Sequence, residues 1–163
     1  MATRAGGATG RAVLVTGASS GIGRAIALDL ARRGMLVFAS VRRAEQADEL
    51  RESAGPTLTS GPAPGLVPLC PLDLARTDHI PAVAAQIEEE LARRGLPGLF
   101  GVVSNAGGGG IAPIELMDLA AFQGELSARL LGPVALLQAL LPSIRGAWGR
   151  IIWIATPGLL PIP

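Results

Sequence analysis

Short, continuous apolar runs recur along the chain and are separated by segments in which apolar residues return at helical spacing. Runs of this kind, ended by turn residues, predict strands that are buried on both faces of a sheet. Five are present, at residues 12–15, 35–41, 66–70, 99–104 and 151–155. Pro68 weakens the third prediction because proline cannot donate a hydrogen bond to a sheet ladder.

The intervening segments read as helices. Ile22, Ile26 and Leu30 form one apolar stripe, and Gly34 stands where a left-handed cap ends a helix. A polar helix is predicted over residues 44–53, followed by a proline-rich loop over residues 55–65. The alternation of strands and helices predicts an α/β fold with a parallel sheet covered on both faces.

Two further helices are predicted in the second half of the chain. The first carries an apolar stripe, has Asp78 as its cap and accommodates Pro81 in its first turn. Its stripe consists of Ile80, Val83, Ile87 and Leu91. The second is long, begins after Asp118 and is ended by Pro142. Its apolar positions are Phe122, Leu126, Leu130, Val134 and Leu137.

The amino-acid composition limits the kinds of protein and of binding site that this chain can form. The 163 residues suit one domain, residues 1–163, and 49% are hydrophobic, enough to build a core. The net charge of +1 gives no general attraction to nucleic acid or to an anionic membrane. With one cysteine and one histidine, no Cys/His metal site is expected. No targeting segment stands out, and the apolar stretch at residues 130–142 is too short to span a bilayer, so we expect a soluble, cytoplasmic protein.

A glycine-rich turn joins the first strand to the first helix. Residues 16–23 read TGASSGIG, with glycines at positions 17, 21 and 23. Glycines allow a tight turn and close backbone approach, so that a pyrophosphate can rest on the free N–H groups of a helix N-terminus. A P-loop is excluded because it requires a lysine, and all 14 basic residues of this chain are arginine.

Four motifs in order resemble the short-chain dehydrogenase/reductase family over nearly the whole chain. They are the TGASSGIG turn, Leu72-Asp73-Leu74, Ser104-Asn105-Ala106-Gly107 and Gly149-Arg150-Ile151-Ile152. The resemblance implies a Rossmann-type, doubly wound sheet in three α/β/α layers that binds a nicotinamide dinucleotide. Two motif residues also have simpler readings, since Asp73 is able to cap a turn and Asn105 to satisfy local backbone.

The resemblance assigns cofactor-binding roles to three groups of residues. In the glycine-rich turn these are Gly17, Ser19, Ser20, Gly21, Ile22 and Gly23. Asp73 and Leu74 would border the adenine, and Asn105, Ala106 and Gly107 would close the fourth strand.

The end of the second strand bears on the choice of cofactor. It reads Ser40-Val41-Arg42-Arg43 and lacks the carboxylate that binds the adenosine ribose in NAD-dependent proteins. A guanidinium forms charge-assisted bonds to a 2′-phosphate, so Arg42 and Arg43 favour NADP(H), with NAD(H) as the alternative.

The chain differs from the family at the catalytic residues. The family uses a tyrosine acid/base in a Tyr-x-x-x-Lys motif, and this chain contains neither residue type. Thr156 aligns with the assisting serine and is the one candidate catalytic hydroxyl, whereas Arg129 replaces the helix asparagine. We therefore expect no turnover from this chain alone.

The last strand poses a folding question. In the family this strand is interior, and further strands follow it. Here it would leave an apolar edge on a C-terminally incomplete sheet, so we expect the chain to be a fragment of a longer protein. The alternative is that a homo-oligomer or another partner covers this edge.

Three functions are compatible with these observations. One is an NADP(H)-dependent oxidoreductase acting on a small-molecule alcohol or carbonyl, of which this chain supplies the cofactor-binding part. The others are a non-catalytic dinucleotide-binding module and a truncated, inactive family member.

Overall fold

The fold is built on a five-stranded parallel sheet. The computed structural model describes residues 10–59, 65–107 and 113–155. Its strands are β1 Ala12–Val15, β2 Leu36–Ser40, β3 Leu66–Leu69, β4 Leu99–Ser104 and β5 Arg150–Trp153. Their order is β3-β2-β1-β4-β5, so the chain reverses its direction of travel across the sheet between β1 and β4. The five predicted strands and the doubly wound class are confirmed.

Helices cover both faces of the sheet. They are α1 Gly21–Arg32, α2 Ala44–Ala54, α3 Pro56–Thr59, α4 Ile80–Arg93, α5 Leu119–Leu126 and α6 Gly132–Gly146. Side chains alternate along β1: Leu14 packs with α4 and α6 residues, whereas Val13 and Val15 pack with those of α1 and α2. Two apolar cores therefore lie on opposite faces of the sheet.

The packed face of the first helix is centred one residue beyond the predicted stripe, and Ile26 and Leu30 of that stripe are half-buried against the same core. Its buried residues are Gly23, Ala27 and Ala31, whereas Ile22 is 62% exposed. Small side chains on the inner face let the helix axis approach the sheet closely. Gly34 has φ +85° directly after the helix, as predicted.

The fourth helix follows its prediction closely, because its whole apolar stripe is buried and Pro81 lies in the first turn. The predicted Asp78 cap is wrong. Asp78 instead accepts a hydrogen bond from Arg76 Nη2 at 2.9 Å, and a 3₁₀ turn, Thr77–His79, leads into the helix. The predicted loop at residues 55–65 also contains the short helix α3, so it is not wholly irregular.

The predicted long helix is longer than expected and changes its winding. Asp118 caps α5, accepting hydrogen bonds from the N–H groups of Ala120 and Ala121 at 3.3 and 3.2 Å. A π-helical segment, Ser127–Leu131, then joins α5 to α6 and shifts the helix face.

Pro142 lies inside α6 and does not end it. The carbonyl that loses its partner belongs to exposed Gln138, which water can reach, while Leu140 and Ile144 hold the following turn in the core. Among the described residues, Leu119–Gly146 is long and apolar enough to cross a membrane by length and composition. Its α6 part packs on β4 and α4, as core helices do.

The two edges of the sheet differ. β3 forms one edge, where its Pro68 lies in register with Ala39 of β2. At the other edge, the large apolar side chains of β5 and of the following Ile154 are between 37% and 51% exposed. The predicted open edge is therefore present in the described structure.

Candidate functional site

A cavity of about 510 Å³ opens where the carboxyl ends of β1 and β4 meet the N-terminus of α1. This is the point at which the strand order reverses, where ligands bind in open α/β sheets. The cavity is lined by Gly17, Ser19, Ser20, Gly21, Ile22, Ser40, Val41, Arg42, Leu72, Asp73, Leu74, Asn105, Ala106, Gly107 and Ala128.

The turn between β1 and α1 requires glycine for two reasons. Gly17 and Gly21 have φ of +67° and +54°, in the left-handed region that glycine adopts freely. A Cβ on Gly17 would lie 2.7 Å from Ala106 Cα, and one on Gly23 would lie within 2.5 Å of both Gly17 O and Asn105 Nδ2. The glycines thus let three backbone segments close around the cavity.

The N-terminus of α1 offers unpaired backbone donors at the cavity wall. Ser20 is the N-cap with extended backbone, and no side chain in the described part of the protein caps this helix end. The first turn also carries no carboxylate. The first N–H groups of a helix lack internal partners and carry positive partial charge, so this wall is suited to an anion.

Thr16 ties the glycine-rich turn to the segment after β4. Its Oγ1 accepts hydrogen bonds from the N–H groups of Asn105 and Ala106, each at 3.0 Å. Asn105 Nδ2 donates hydrogen bonds to the carbonyl oxygens of Thr16 and Gly17 at 3.1 and 3.3 Å. Asn105 therefore both lines the cavity and satisfies local backbone. The sequence prediction of the site omits Thr16, although its place directly before Gly17 indicates that it belongs to the turn.

Of the other cavity-lining residues that the prediction omits, two lie beside predicted residues in the sequence and two do not. Ser40 is 2% exposed, and its Oγ accepts a hydrogen bond from Gly17 N at 3.3 Å, which links β2 to the turn. Val41 precedes Arg42 and Leu72 precedes Asp73, so adjacency could have indicated them. Ala128 lies in the π-helical segment, and no feature of the sequence marked it.

The two adjacent arginines after β2 differ in position. Arg42 lines the cavity and Arg43 does not. Arg43 is the N-cap residue of α2, and the backbone N–H groups of both arginines donate to Gln46 Oε1 at 3.2 and 3.1 Å. Gln46 thereby fixes the backbone that carries Arg42 past the cavity.

Asp73 is the carboxylate among the cavity-lining residues. Its Oδ1 accepts a hydrogen bond from Ala75 N at 3.1 Å. Asp73 therefore caps a turn, as the simpler of its two readings predicts, and it also lines the cavity.

The predicted catalytic region is only partly described. Thr156 lies outside the described residues. Arg129 is half-exposed in the π-helical segment, and its Nε donates to Glu125 Oε2 at 2.7 Å. A guanidinium has no acceptor atom, so Arg129 cannot replace the acceptor function of an asparagine. Within residues 10–59, 65–107 and 113–155, no group of His, Cys, Asp and Glu side chains forms a metal site.

Of the thirteen residues predicted to bind cofactor, the structure brings eleven together in the cavity wall. The two exceptions are Gly23, which packs beneath the turn, and Arg43.

Comparison with known proteins identifies similar sequences. The sequence model of the family described as short chain dehydrogenase matches residues 11–158. Mouse retinol dehydrogenase 5 is 33% identical over 145 residues, covering 88% of this chain and 42% of the relative. Human 11-beta-hydroxysteroid dehydrogenase type 2 is 34% identical, covering 94% and 36%. The chain thus spans less than half the length of these relatives.

Solved structures show the same architecture. L-sorbose reductase from Gluconobacter frateurii, complexed with NADPH and L-sorbose, superimposes with a TM-score of 0.79 at 26% identity, covering 93% of this chain and 54% of that one. A short chain dehydrogenase from Escherichia coli CFT073 complexed with NADPH gives 0.74 at 29% identity, covering 89% and 58%.

Proposed function

Because the chain belongs to the short-chain dehydrogenase family, we propose that it binds NADP(H) as the cofactor-holding part of an oxidoreductase acting on an alcohol or carbonyl. The observation that carries this proposal is the uncapped N-terminus of α1, which forms one wall of a 510 Å³ cavity. A cavity of this size is typical of cofactor sites.

The residues present fit the proposed cofactor. The backbone N–H groups at Ser19 to Ile22 would hold the diphosphate, because they lie at the positive end of the helix. Arg42 would bind a 2′-phosphate, and Asp73 with Leu74 would border the adenine. Asn105, Ala106 and Gly107 would hold the nicotinamide half against the end of β4.

The preference for NADP(H) over NAD(H) rests on charge. Arg42 is the arginine on the cavity wall, and the end of β2 contributes Ser40 rather than a carboxylate. A guanidinium is complementary to a phosphate and has no acceptor for the ribose hydroxyls of NAD. The NADPH complexes of the two similar structures support the same preference.

The reaction requires one group that transfers a hydride and another that transfers a proton. Nicotinamide, when bound, supplies the hydride donor or acceptor. A proton donor for the substrate oxygen must come from the protein, and residues 1–163 include no tyrosine and no lysine. Thr156 remains the candidate hydroxyl for binding a carbonyl oxygen. We therefore expect these residues to bind cofactor without measurable turnover.

A second candidate function is a dinucleotide-binding module that performs no chemistry. The pairing of Arg129 with Glu125 favours it, because a salt bridge occupies the helix position where the family carries its asparagine. For the oxidoreductase, the relatives named for retinol and hydroxysteroids support an apolar alcohol as the substrate class. The cytoplasmic location and a covering partner for β5 stay predictions.

Titration with NADPH and NADH, followed by cofactor fluorescence, tests the proposal. Saturable binding that is tighter for NADPH is expected. The variant Ile22→Asp should bind at least tenfold more weakly, because it puts a carboxylate in the first turn of α1 without disturbing a buried side chain. Leu119→Asp makes the same change in the first turn of α5 and should bind normally. Equal binding by the two variants, or no binding by the folded parent chain, would refute the proposed site.

The same samples test the two candidate functions. NADPH oxidation with a panel of carbonyl substrates should stay at background for residues 1–163. Turnover would contradict the expectation that this chain alone lacks a proton donor.

A further inference from the structure

Two backbone N–H groups at the edge of the cavity share one side-chain acceptor. Gln46 Oε1 accepts hydrogen bonds from the N–H of Arg42 at 3.2 Å and from the N–H of Arg43 at 3.1 Å. Gln46 lies in the first turn of α2 and is partly buried. A glutamine at this helix position often accepts from the N–H of the N-cap residue. Here it also accepts from the preceding N–H, so one oxygen atom holds the chain at two consecutive residues.

The chain on either side of this segment is held by other contacts. Val41 is 2% exposed, its N–H donates to Leu69 O, and its carbonyl oxygen accepts from Leu72 N, both at 2.9 Å. Ala47 is buried under α2. Between these two buried residues, residues 42–45 are all exposed. The bonds to Gln46 therefore tie the exposed segment to the start of the helix.

The backbone conformation that Gln46 holds decides which arginine faces the cavity. Arg43 has extended backbone, with φ −127° and ψ 151°. Consecutive side chains on extended backbone point to opposite sides. Arg42 accordingly lines the cavity and Arg43 does not. A backbone free to turn here would leave the Arg42 guanidinium at the cavity wall for only part of the time.

The start of α2 is poorly suited to bind a phosphate through its backbone. The N–H groups of Arg42 and Arg43 are already paired with Gln46, and Glu45 places a carboxylate in the first turn. A carboxylate repels a second anion. The first turn of α1, in contrast, carries no carboxylate. A phosphate next to Arg42 would therefore depend on the guanidinium and on how well it is placed.

We propose that Gln46 is a positioning residue for the adenosine 2′-phosphate and contributes to the preference for NADP(H) over NAD(H). The inference rests on the proposed function and extends it to a residue that does not line the cavity. Gln46 acts through Arg42, because a guanidinium on a fixed backbone loses less conformational freedom when the phosphate binds. NADH carries no 2′-phosphate, so its affinity should be nearly independent of Gln46.

Isothermal titration calorimetry with NADPH and NADH tests the proposal. Gln46→Met keeps the length of the side chain and removes the acceptor. The affinity for NADPH should fall about fivefold and that for NADH less than about twofold, because only NADPH contacts the positioned guanidinium. In the Arg42→Gln background, Gln46→Met should change NADPH affinity by less than about twofold, since the group that it positions is gone. A general loosening of α2 would weaken both cofactors and would persist in that background.

Asp118→Ala is the matched control for the loss of a helix cap. Asp118 accepts from the N–H groups of Ala120 and Ala121 at the start of α5, whose residues lie outside the cavity wall. The variant should lower the Tm, as the loss of a cap does, and leave both cofactor affinities within about twofold of the parent.

Four results would overturn the inference: parental NADPH affinity in Gln46→Met, equal losses for NADPH and NADH, an undiminished loss in the Arg42→Gln background, or the same loss of NADPH affinity in Asp118→Ala. If the parent chain prefers NADPH and one of these results is found, the inference fails and the proposed function stands. If the folded parent chain binds neither cofactor, the proposed function fails and this inference fails with it.

Discussion

Replacing Arg42 by glutamine isolates the interaction that sets cofactor preference. Arg42 lines the cavity, and its backbone N–H is held by Gln46 whatever its side chain. The substitution removes one positive charge and leaves the glycine-rich turn intact. The affinity for NADPH should fall because its 2′-phosphate loses a partner. The affinity for NADH should stay unchanged because NADH has no 2′-phosphate.

The size of the effect follows from the exposure of the side chain. A hydrogen bond to a charged group contributes about 1.5–3 kcal/mol to stability. Arg42 is exposed, so solvent screening should reduce this to about 1–1.5 kcal/mol, a loss of about tenfold in NADPH affinity. The loss should shrink as salt is added, because screening weakens exposed pairs first.

Arg43→Gln is the matched control. It removes the same charge one residue further on, from a side chain that does not line the cavity. Because its exposed side chain does not reach the cavity and its charge is screened by salt, its effect on NADPH affinity should stay under about twofold. Isothermal titration calorimetry of both variants with NADPH and NADH makes the comparison. Equal losses for the two cofactors, or for the two variants, would refute a specific contact with the 2′-phosphate.

Three further predictions concern stability, measured by denaturant unfolding. Gly23→Ala should cost about 3 kcal/mol because its Cβ meets backbone and Asn105, whereas Gly124→Ala, in an open helical position, should gain about 0.5–1 kcal/mol. Thr16→Val should cost about 2–4 kcal/mol, since two backbone N–H groups lose their acceptor. Glu90→Gln should destabilise at neutral pH and not in acid. Burial alone would raise the pKa of Glu90, but hydrogen bonds from arginines lower it; the pairing therefore stabilises above the unfolded pKa, and this is lost as pH falls through the folded pKa.

Each of these predictions has its own contrary result. A stable Gly23→Ala variant would mean that the turn relaxes without cost. Thr16→Ser keeps the hydroxyl and should therefore retain most of the stability that Thr16→Val loses. An equal loss in both variants would mean that the hydroxyl does not contribute this stability. Glu89 is exposed, forms no salt bridge in the described structure and acts on Arg93 only through longer-range charge. Glu89→Gln should therefore show a smaller pH-dependent difference, and one equal to that of Glu90→Gln would mean that general charge, rather than the Glu90 pairing, causes the effect.

The sequence predicts the sheet well because buried parallel strands are short and continuously apolar. It fails where long-range packing decides the outcome. The burial of the α4 stripe follows from local spacing, whereas the start of that helix does not, because Asp78 does not cap it. The inner face of α1 is chosen by close approach to the sheet, which favours Ala27 and Ala31 over Ile22. Pro142 stays within α6 because Ile144 is held in the core beyond it.

The candidate site divides in the same way. Gly17 and Gly21 have a local signature, since the turn needs their backbone conformation. Ser40 and Ala128 reach the cavity from elements far away in sequence, and only the fold brings them there. Arg42 and Arg43 are alike in sequence, and the start of α2 separates their roles.

The most direct test of the account uses the backbone amides themselves. In a ¹⁵N-labelled sample, titration with NADP⁺ should shift the amide resonances of Ser19, Gly21 and Ile22 first and furthest, with those of Asn105 and Ala106 following at the same apparent Kd. Saturable shifts confined to residues away from these two segments, or none at millimolar NADP⁺ in a folded sample, would contradict the claim that the start of α1 receives the diphosphate.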